Sequence, residues 1–332
     1  MKIHIKSPTR VDLAGGTLDM WPLFNFVGGA TTINLAIDIW TEAELTAVPD
    51  GSIEIESKDL NQVWKFIDRT AFLAALDPKI LFFQKIVEKF ELQSGFRLVT
   101  SSQSPIGGGL GGSSSLVISI LKAFYQMNAA KFEIQDLVQL AHNIESEILR
   151  TPTGTQDYYP AVTGGLSVIE YSAISITQTL HSVAGTLLED HFLLVYTGKS
   201  HHSGLNNFEV LKSAVEGDLK VLSALKKIKE IAENLKLALM QKNWSQLPGL
   251  FRQEYDARIE LTPAFSSPEI EKLAKISVAA GALAVKICGA GGGGCVLIWV
   301  PPAQREKVIQ VCQNEKFQCL NARPVNPLNW LT

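Results

Sequence analysis

The stretch "SPIGGGLGGSSSLVISIL", Ser104–Leu121, places a loop rich in glycine and serine directly before an apolar segment. Consecutive glycines let backbone N–H groups converge on an anion, because no Cβ blocks the approach and a positive φ costs little. A helix that starts right after the loop adds its unpaired N–H groups and the positive end of its dipole. The pattern predicts a phosphate-binding loop; the alternative is a glycine hinge before a core helix.

Neither of the two common phosphate loops fits this stretch. Gly107, Gly109 and Gly112 satisfy the dinucleotide pattern G-x-G-x-x-G, but Pro105 separates the loop from the preceding strand. No acidic residue ends a second strand about 20 residues later, where a ribose would need it. The Lys-Ser/Thr pair that ends the P-loop is also missing. The sequence therefore indicates a third kind of phosphate loop.

Composition excludes several classes of protein. The chain has 332 residues, 46% of them hydrophobic and 19% charged, which is typical of a globular protein with a substantial core. A net charge of -3 gives no basic field for nucleic acid or an anionic membrane. No signal-peptide core and no apolar run of about 18 residues is visible, so we expect a cytoplasmic protein. Four cysteines without a Cys-x-x-Cys pair favour reduced core thiols over disulfides or a metal site. They are Cys288, Cys295, Cys312 and Cys319.

Hydrophobic periodicity predicts an α+β fold. Strands are expected over 30–48, 52–60, 95–101, 191–198 and on both sides of a glycine turn within 282–300, and helices over 70–92, 113–130, 134–149, 205–258 and 302–315. Pro248 and Gly249 are expected to interrupt the longest helical region. A shift from strand-rich to helix-rich composition near residues 170–195 indicates two domains, 1–180 and 181–332.

Three segments resemble the motifs of the GHMP kinases, the superfamily of galactokinase, homoserine kinase, mevalonate kinase and phosphomevalonate kinase. "PIGGGLGGSSS", Pro105–Ser115, is similar to their phosphate loop; "SPTRVDLAGGTLDMWPL" from Ser7 and "KICGAGGGGCVL" from Lys286 are similar to their first and third motifs. The three motifs occur in the same order along the chain as in that family, and together they span nearly the whole chain. The resemblance implies an N-terminal domain like ribosomal protein S5 domain 2 and a C-terminal ferredoxin-like domain, with ATP and acceptor bound between them.

The resemblance also implies which residues bind ATP and Mg²⁺. The loop departs from the family at Gly112, where the first of two serines usually stands, but Ser113 keeps the second. Ser113 and Glu145 are expected to hold Mg²⁺, with Glu147 as the alternative on the same helix. The residues expected to bind ATP are Pro105, Gly107, Gly108, Gly109, Leu110, Gly111, Gly112, Ser113 and Ser114.

Two further residues match the catalytic positions of the family. Asp157, twelve residues after Glu145, is expected to take or orient the proton of the acceptor, although it could instead be a turn residue of "TGTQD". Tyr158 stands where the family has Gln. Arg10, at the start of the first motif, is expected to stabilise the nucleophile and the transferred phosphoryl group.

The first motif also suggests the acceptor. Asp19 lies nine residues after Arg10, where galactokinases and bacterial heptose-phosphate kinases carry an acid that accepts hydrogen bonds from sugar hydroxyls; Leu18 departs from that branch, which often has Thr there. A carboxylate would repel an acidic acceptor. We therefore expect a sugar or sugar phosphate, phosphorylated at its anomeric hydroxyl. The residues expected to bind it are Asp19, Gly16, Thr17, Gly291 and Gly292.

Some alternatives stay open on the sequence alone. His201 and His202 are expected in a loop that either faces the substrate or is merely exposed to solvent, and not at a shared metal. A mevalonate-pathway kinase or decarboxylase, or a silent regulator that binds sugar and ATP, is a possible alternative function. The expected partners are small molecules, and the chain is expected to be a monomer or a homodimer.

Overall fold

The computed structural model describes residues 2–200, 203–289 and 291–329, without the side chains of 203–205. His201 and His202, expected in a loop that faces the substrate or is exposed to solvent, lie outside the described residues. Among these residues, no helix is both long and apolar enough to cross a membrane. All four cysteines are free thiols, as predicted, and the three other than Cys319 are buried.

A large, mostly antiparallel sheet forms the first part of the described chain. Its order is β4-β3-β5-β2-β6-β7, with β1 also paired to β2, and only the β3–β5 pair is parallel. The strands are β1 (Lys2–Ala14), β2 (Ala30–Val48), β3 (Ile53–Ser57), β4 (Gln62–Phe66), β5 (Gly95–Ser102), β6 (Leu166–Tyr171) and β7 (Ile176–His181). Buried and half-buried residues alternate along the second half of β2, as expected of a strand with one face on the core.

Six short or medium helices belong to this part of the described chain, and one of them brings the glycine loop onto the sheet. They are α1 (Leu23–Phe26), α2 (Arg69–Leu73), α3 (Leu81–Val87), α4 (Gly112–Met127), α5 (Ile134–Leu149) and α6 (Tyr158–Thr163). Helix α4 packs against β1 and β2 through apolar residues that are fully buried, among them Val117, Ile118 and Leu121. The glycine loop is therefore fixed at the N-terminus of a core helix. The single helix predicted over 70–92 is instead two short ones, α2 and α3.

A four-stranded antiparallel sheet, β11-β8-β10-β9, organises the second part of the described chain. Its strands are β8 (Phe192–Tyr196), β9 (Ala284–Ile287), β10 (Cys295–Trp299) and β11 (Gln318–Leu320). The helices are α7 (Leu187–His191), α8 (Ser203–Val215), α9 (Leu219–Met240), α10 (Leu247–Leu261), α11 (Pro268–Ala279) and α12 (Pro302–Asn314). The last segment returns to the first sheet, where Pro324 bridges Ile37 and Pro327 bridges Gly164. A domain boundary at residue 180 stays a prediction.

The interruption predicted at Pro248 and Gly249 is wrong in position. The helical region breaks earlier, after Val215 and after Met240. Pro248 and Gly249 lie in the first turn of α10. Proline is tolerated there because its missing N–H would have no partner within the helix. A proline in a helical pattern thus marked the beginning of a helix.

Candidate active site

The glycine loop turns its carbonyl groups toward the protein. Gly108 O accepts from Cys295 N at 2.8 Å, Gly109 O from Arg10 Nη1 at 2.6 Å, and Leu110 O from Arg10 N at 3.0 Å. In a trans peptide the N–H lies opposite the C=O, so the N–H groups that follow these carbonyls point the other way. The loop therefore presents consecutive backbone donors on its outer side, beside the N-terminus of α4. This arrangement fits a phosphate group.

Backbone geometry at the end of this loop requires glycine. Gly111 has a φ of 68°, and a Cβ there would lie 3.1 Å from Oδ2 of Asp157. A Cβ at Gly112 would lie 2.9 Å from Cβ and Oγ of Ser104. The departure of Gly112 from the family pattern thus has a packing cause. The first contact also shows that Asp157 lies directly beneath the loop.

Arg10 and Asp157 form an ion pair across 147 residues of sequence. Arg10 Nε and Nη2 both donate to Asp157 Oδ1, at 2.9 and 2.6 Å. Nη1 of Arg10 also donates to the carbonyl of Cys288 at 2.8 Å, at the start of the third motif. Burial opposes the charge of Arg10, but Asp157 and Asp12 raise its pKa above the ordinary value. The structure therefore brings the first motif, the phosphate loop, Asp157 and the third motif to one guanidinium.

Ser113 and Glu145 meet at the N-terminus of α4. Ser113 Oγ donates to Glu145 Oε1 at 2.7 Å, and Glu145 is buried. Burial raises the pKa of Glu145, although hydrogen bonds from Tyr158, Ser114 and Ser113 oppose that rise. Glu147, the alternative, lies at the surface in an ion pair with Lys89. Tyr158, which replaces the family's Gln, thus supports the buried carboxylate.

The Ser113–Glu145 pair fits a magnesium ion in the chemistry of its donors. Mg²⁺ takes hard oxygen ligands and is often held by one or two protein groups plus substrate phosphates. No group of three or more His, Cys, Asp or Glu side chains suited to a metal occurs in the described part of the chain. A hydroxyl and a buried carboxylate beside the glycine loop fit a Mg²⁺ ion whose remaining ligands are oxygens of the substrate phosphates.

Asp19 lies buried close to Asp157. Its Oδ2 accepts from the backbone N–H of Gln156 at 3.1 Å. A Cβ at Gly154 would overlap the Asp19 carboxyl group, so the turn before Asp157 can pack here only with glycine. Burial, and next the neighbouring charges of Asp157 and Asp12, raise the pKa of Asp19 to about 6.

Replacing Asp19 by Asn is expected to stabilise the protein at neutral pH. The pKa of Asp19 is about 6 when folded and 3.8 ordinarily, so the wild type loses stability as pH rises through that interval. One pKa unit corresponds to about 1.4 kcal/mol, so at pH 8 the free energy of unfolding of the variant should exceed that of wild type by on the order of 2–3 kcal/mol. Urea unfolding from pH 4 to 8 measures this gain, which should shrink toward pH 4. A variant that is less stable than wild type at pH 8 would contradict the expectation.

Gly16 and Thr17 line the same part of the site. A Cβ at Gly16 would overlap Asp12 and Arg258 and would lie 2.9 Å from Nε2 of Gln156. Thr17 has a φ of 76°, a strained conformation for a β-branched residue. Its hydroxyl donates to Oδ1 of Asn207 on α8 at 3.0 Å. Asn207 is a contact that the sequence did not indicate.

Gly291 and Gly292 pack against the backbone around Phe265. A Cβ at Gly291 would overlap the carbonyl of Phe265, and Gly292 N donates to that same carbonyl at 3.1 Å. Two other described residues of the third motif contact the glycine loop: a Cβ at Gly289 would lie 3.0 Å from the backbone of Gly109, and Cys295 N donates to Gly108 O. A role of Gly291 and Gly292 in binding the acceptor stays a prediction.

Sequence reasoning missed a cluster of four charged side chains behind the site, each at most 1% exposed. Arg258 Nε donates to Glu254 Oε1 at 2.7 Å, and Nη2 donates to Asp12. Lys286 Nζ lies 3.2 Å from Glu254 Oε2 in an ion pair without a hydrogen bond. A lysine inside the apolar strand "ALAVKICG" was the available signal.

This buried cluster joins the first motif to α10 and β9. Burial disfavours the ionised form of Asp12, but Lys286, Arg258 and Arg10 lower its pKa below the ordinary value. Arg258 Nη1 also donates to Gly289 O at 3.1 Å. The cluster therefore holds the start of the third motif at a fixed place relative to Arg10.

Comparison with known families and structures agrees with this geometry. The chain matches the model of the GHMP kinases N terminal domain over residues 79–165 and that of the GHMP kinases C terminal domain over residues 222–318. The chain belongs to the GHMP kinase family. The resemblance found in its three motifs is thus confirmed, and the protein is an enzyme of the phosphotransferase class.

Several known GHMP kinases are similar over nearly the whole chain. D-glycero-alpha-D-manno-heptose 7-phosphate kinase of Campylobacter jejuni is 28% identical over 322 residues, covering 95% of this chain and 94% of the relative. Mevalonate kinase of Methanococcus jannaschii superposes with a TM-score of 0.78 at 22% identity, over 98% of this chain and 99% of its own. Galactokinase of Lactococcus lactis, complexed with galactose, superposes with a TM-score of 0.77 at 17% identity, over 98% of this chain and 94% of its own. These structures confirm the predicted two-domain α+β fold.

Proposed function

We propose that this GHMP kinase transfers the γ-phosphate of ATP, with Mg²⁺, to the anomeric hydroxyl of a sugar or sugar phosphate. The observation that carries the proposal is the ion pair of Arg10 and Asp157 beside the glycine loop, with the buried Asp19 bonded to the backbone N–H of the neighbouring Gln156. Asp157 then has both the proposed donor site and the proposed acceptor site as neighbours. Acid, cation and backbone donors are the groups that phosphoryl transfer needs.

On the donor side, the outward N–H groups of Gly109, Leu110 and Gly111 bind phosphate oxygens, within the ATP-binding segment that runs from Pro105 to Ser114. Ser113 and Glu145 hold Mg²⁺, which when bound shares the negative charge of the phosphates. Arg10 faces the transferred group from below and stabilises the charge that develops on it. Because Arg10 is fixed by Gly109 O and Cys288 O, it needs no rearrangement to do so.

On the acceptor side, Asp157 takes or orients the proton of the attacking hydroxyl. Both hydrogen bonds from Arg10 go to Oδ1, which leaves Oδ2 to face that hydroxyl. Asp19, together with Gly16 and Thr17, binds other hydroxyls of the acceptor. A carboxylate accepts hydrogen bonds from the hydroxyls of a polyol, of which mevalonate offers few. The similarity to a heptose 7-phosphate kinase supports a phosphosugar as the acceptor.

An acceptor panel tests this function. ADP release from ATP and Mg²⁺ is measured with heptose and hexose phosphates, free fucose and galactose, mevalonate and homoserine. We expect turnover with at least one sugar or sugar phosphate and none with mevalonate. Turnover only with mevalonate would assign a mevalonate-type kinase, and tight sugar and ATP binding without any turnover would assign a regulator.

A further inference from the structure

The side chain of Gln156 carries a buried polar atom without a partner. The residue is 7% exposed, and its Oε1 makes no hydrogen bond among the described residues. Buried polar side-chain atoms are nearly always paired, because an unpaired one keeps the full cost of its lost hydration. An orphaned acceptor at this place therefore points to a donor that arrives with a ligand.

Gln156 lies within the acceptor side of the site. Its backbone N–H donates to Asp19 Oδ2 at 3.1 Å, and a Cβ on Gly16 would lie 2.9 Å from its Nε2. The next residue is Asp157, whose carboxylate is paired with Arg10. The amide thus lies among the residues assigned to the acceptor, one position from the acid that faces the attacking hydroxyl.

A second buried glutamine shows what a structural role looks like in this fold. Gln84 is 5% exposed, and its Nε2 donates to the carbonyls of Phe72 at 2.8 Å and Ala75 at 2.9 Å. These hydrogen bonds connect α3, which contains Gln84, to α2 and the residues that follow it. Gln156, buried to a similar degree, makes no side-chain bond of this kind within the described structure, so packing alone does not account for an amide here.

We propose that Gln156 is a specificity residue whose amide oxygen accepts a hydrogen bond from a second hydroxyl of the acceptor. This rests on the proposed function, since it needs an acceptor with several hydroxyl groups. A hydroxyl can donate to Oε1, whereas a carboxylate cannot. A site that is built to bind a hydroxyl discriminates strongly against an analogue that lacks it, because its own polar group is then left unpaired.

The test compares Gln156→Met with Gln84→Met. We expect Gln156→Met to raise KM for the sugar about tenfold to a hundredfold, with kcat and KM for ATP little changed. Its Tm should stay at or above the wild-type value, because the unpaired amide is gone. Gln84→Met should lower Tm and leave KM for the sugar unchanged. Gln156→Asn, which keeps a shorter amide, should fall between wild type and Gln156→Met in KM.

A series of monodeoxy analogues of the best acceptor identifies the contact. For wild type, the analogue that lacks the contacted hydroxyl should have a higher KM than the parent sugar. In Gln156→Met that difference in KM should disappear, whereas the differences for the other analogues should remain. Unchanged KM in Gln156→Met, a loss of Tm or solubility like that of Gln84→Met, or no analogue whose difference in KM disappears would overturn the proposal. Wild-type turnover of the parent sugar tests the proposed function by itself, so the two ideas can fail separately.

Discussion

Replacing Asp157 by Asn is expected to lower kcat by a factor of about 10² to 10⁴, the usual contribution of a positioned acid–base group. Asn can still accept the bonds from Arg10 to Oδ1, so the guanidinium should keep its place. Its amide cannot take a proton at the position of Oδ2, the oxygen that we propose faces the acceptor. Steady-state turnover with the best acceptor, together with an ATP titration, measures the effect; ATP affinity should change little.

Glu147→Gln is the matched control for this experiment. Glu147 is a carboxylate on α5, two residues from Glu145, but it is 43% exposed and paired with Lys89 at the surface. Its replacement should leave kcat unchanged. An Asp157→Asn enzyme with near-normal turnover, or an equal loss in both variants, would remove Asp157 from the catalytic role.

Replacing Arg258 by Met should destabilise the protein by about 3–5 kcal/mol, the cost of leaving buried charges unpaired. Arg258 donates to Asp12 and Glu254, both fully buried, and its loss leaves Lys286 as the one cation of the cluster beside two carboxylates. Denaturant unfolding measures the loss. Arg258→Lys keeps the charge but not the forked donors, and we expect an intermediate loss.

The exposed pair of Lys227 and Glu260 provides the control for Arg258. Both side chains are 50% exposed, and their atoms approach to 2.6 Å. Lys227→Met should change the free energy of unfolding by less than about 1 kcal/mol, as is usual for surface ion pairs. If Arg258→Met cost no more than Lys227→Met, the buried cluster would not be what joins the first and third motifs.

Local signals in the sequence predicted much of the fold and part of the site. The glycine loop and the helix after it were predictable because both depend on neighbouring residues, and α5 was predicted to its exact bounds. The spacing of Glu145 and Asp157 carried information only through the family resemblance. Periodicity alone could not distinguish Glu145 from Glu147. Only the folded chain shows that Glu145 is buried beside Ser113 and that Glu147 is exposed beside Lys89.

The remaining features depend on long-range packing, which no local pattern encodes. Arg258 meets Asp12 across 246 residues, and Thr17 meets Asn207 across 190. Pro248 seemed to break a helix because the sequence does not show whether a proline stands in the first turn or the middle. Gln156 gave no signal, because the proposal for it rests on a buried amide oxygen whose lack of a partner only the structure shows.

Phosphorus NMR of the product formed with the best acceptor of the panel tests the central claim most directly. We expect the new phosphate to couple to a single anomeric proton, as in a sugar 1-phosphate. A phosphate coupled to the two protons of a primary alcohol, or a product formed only from mevalonate, would contradict the account.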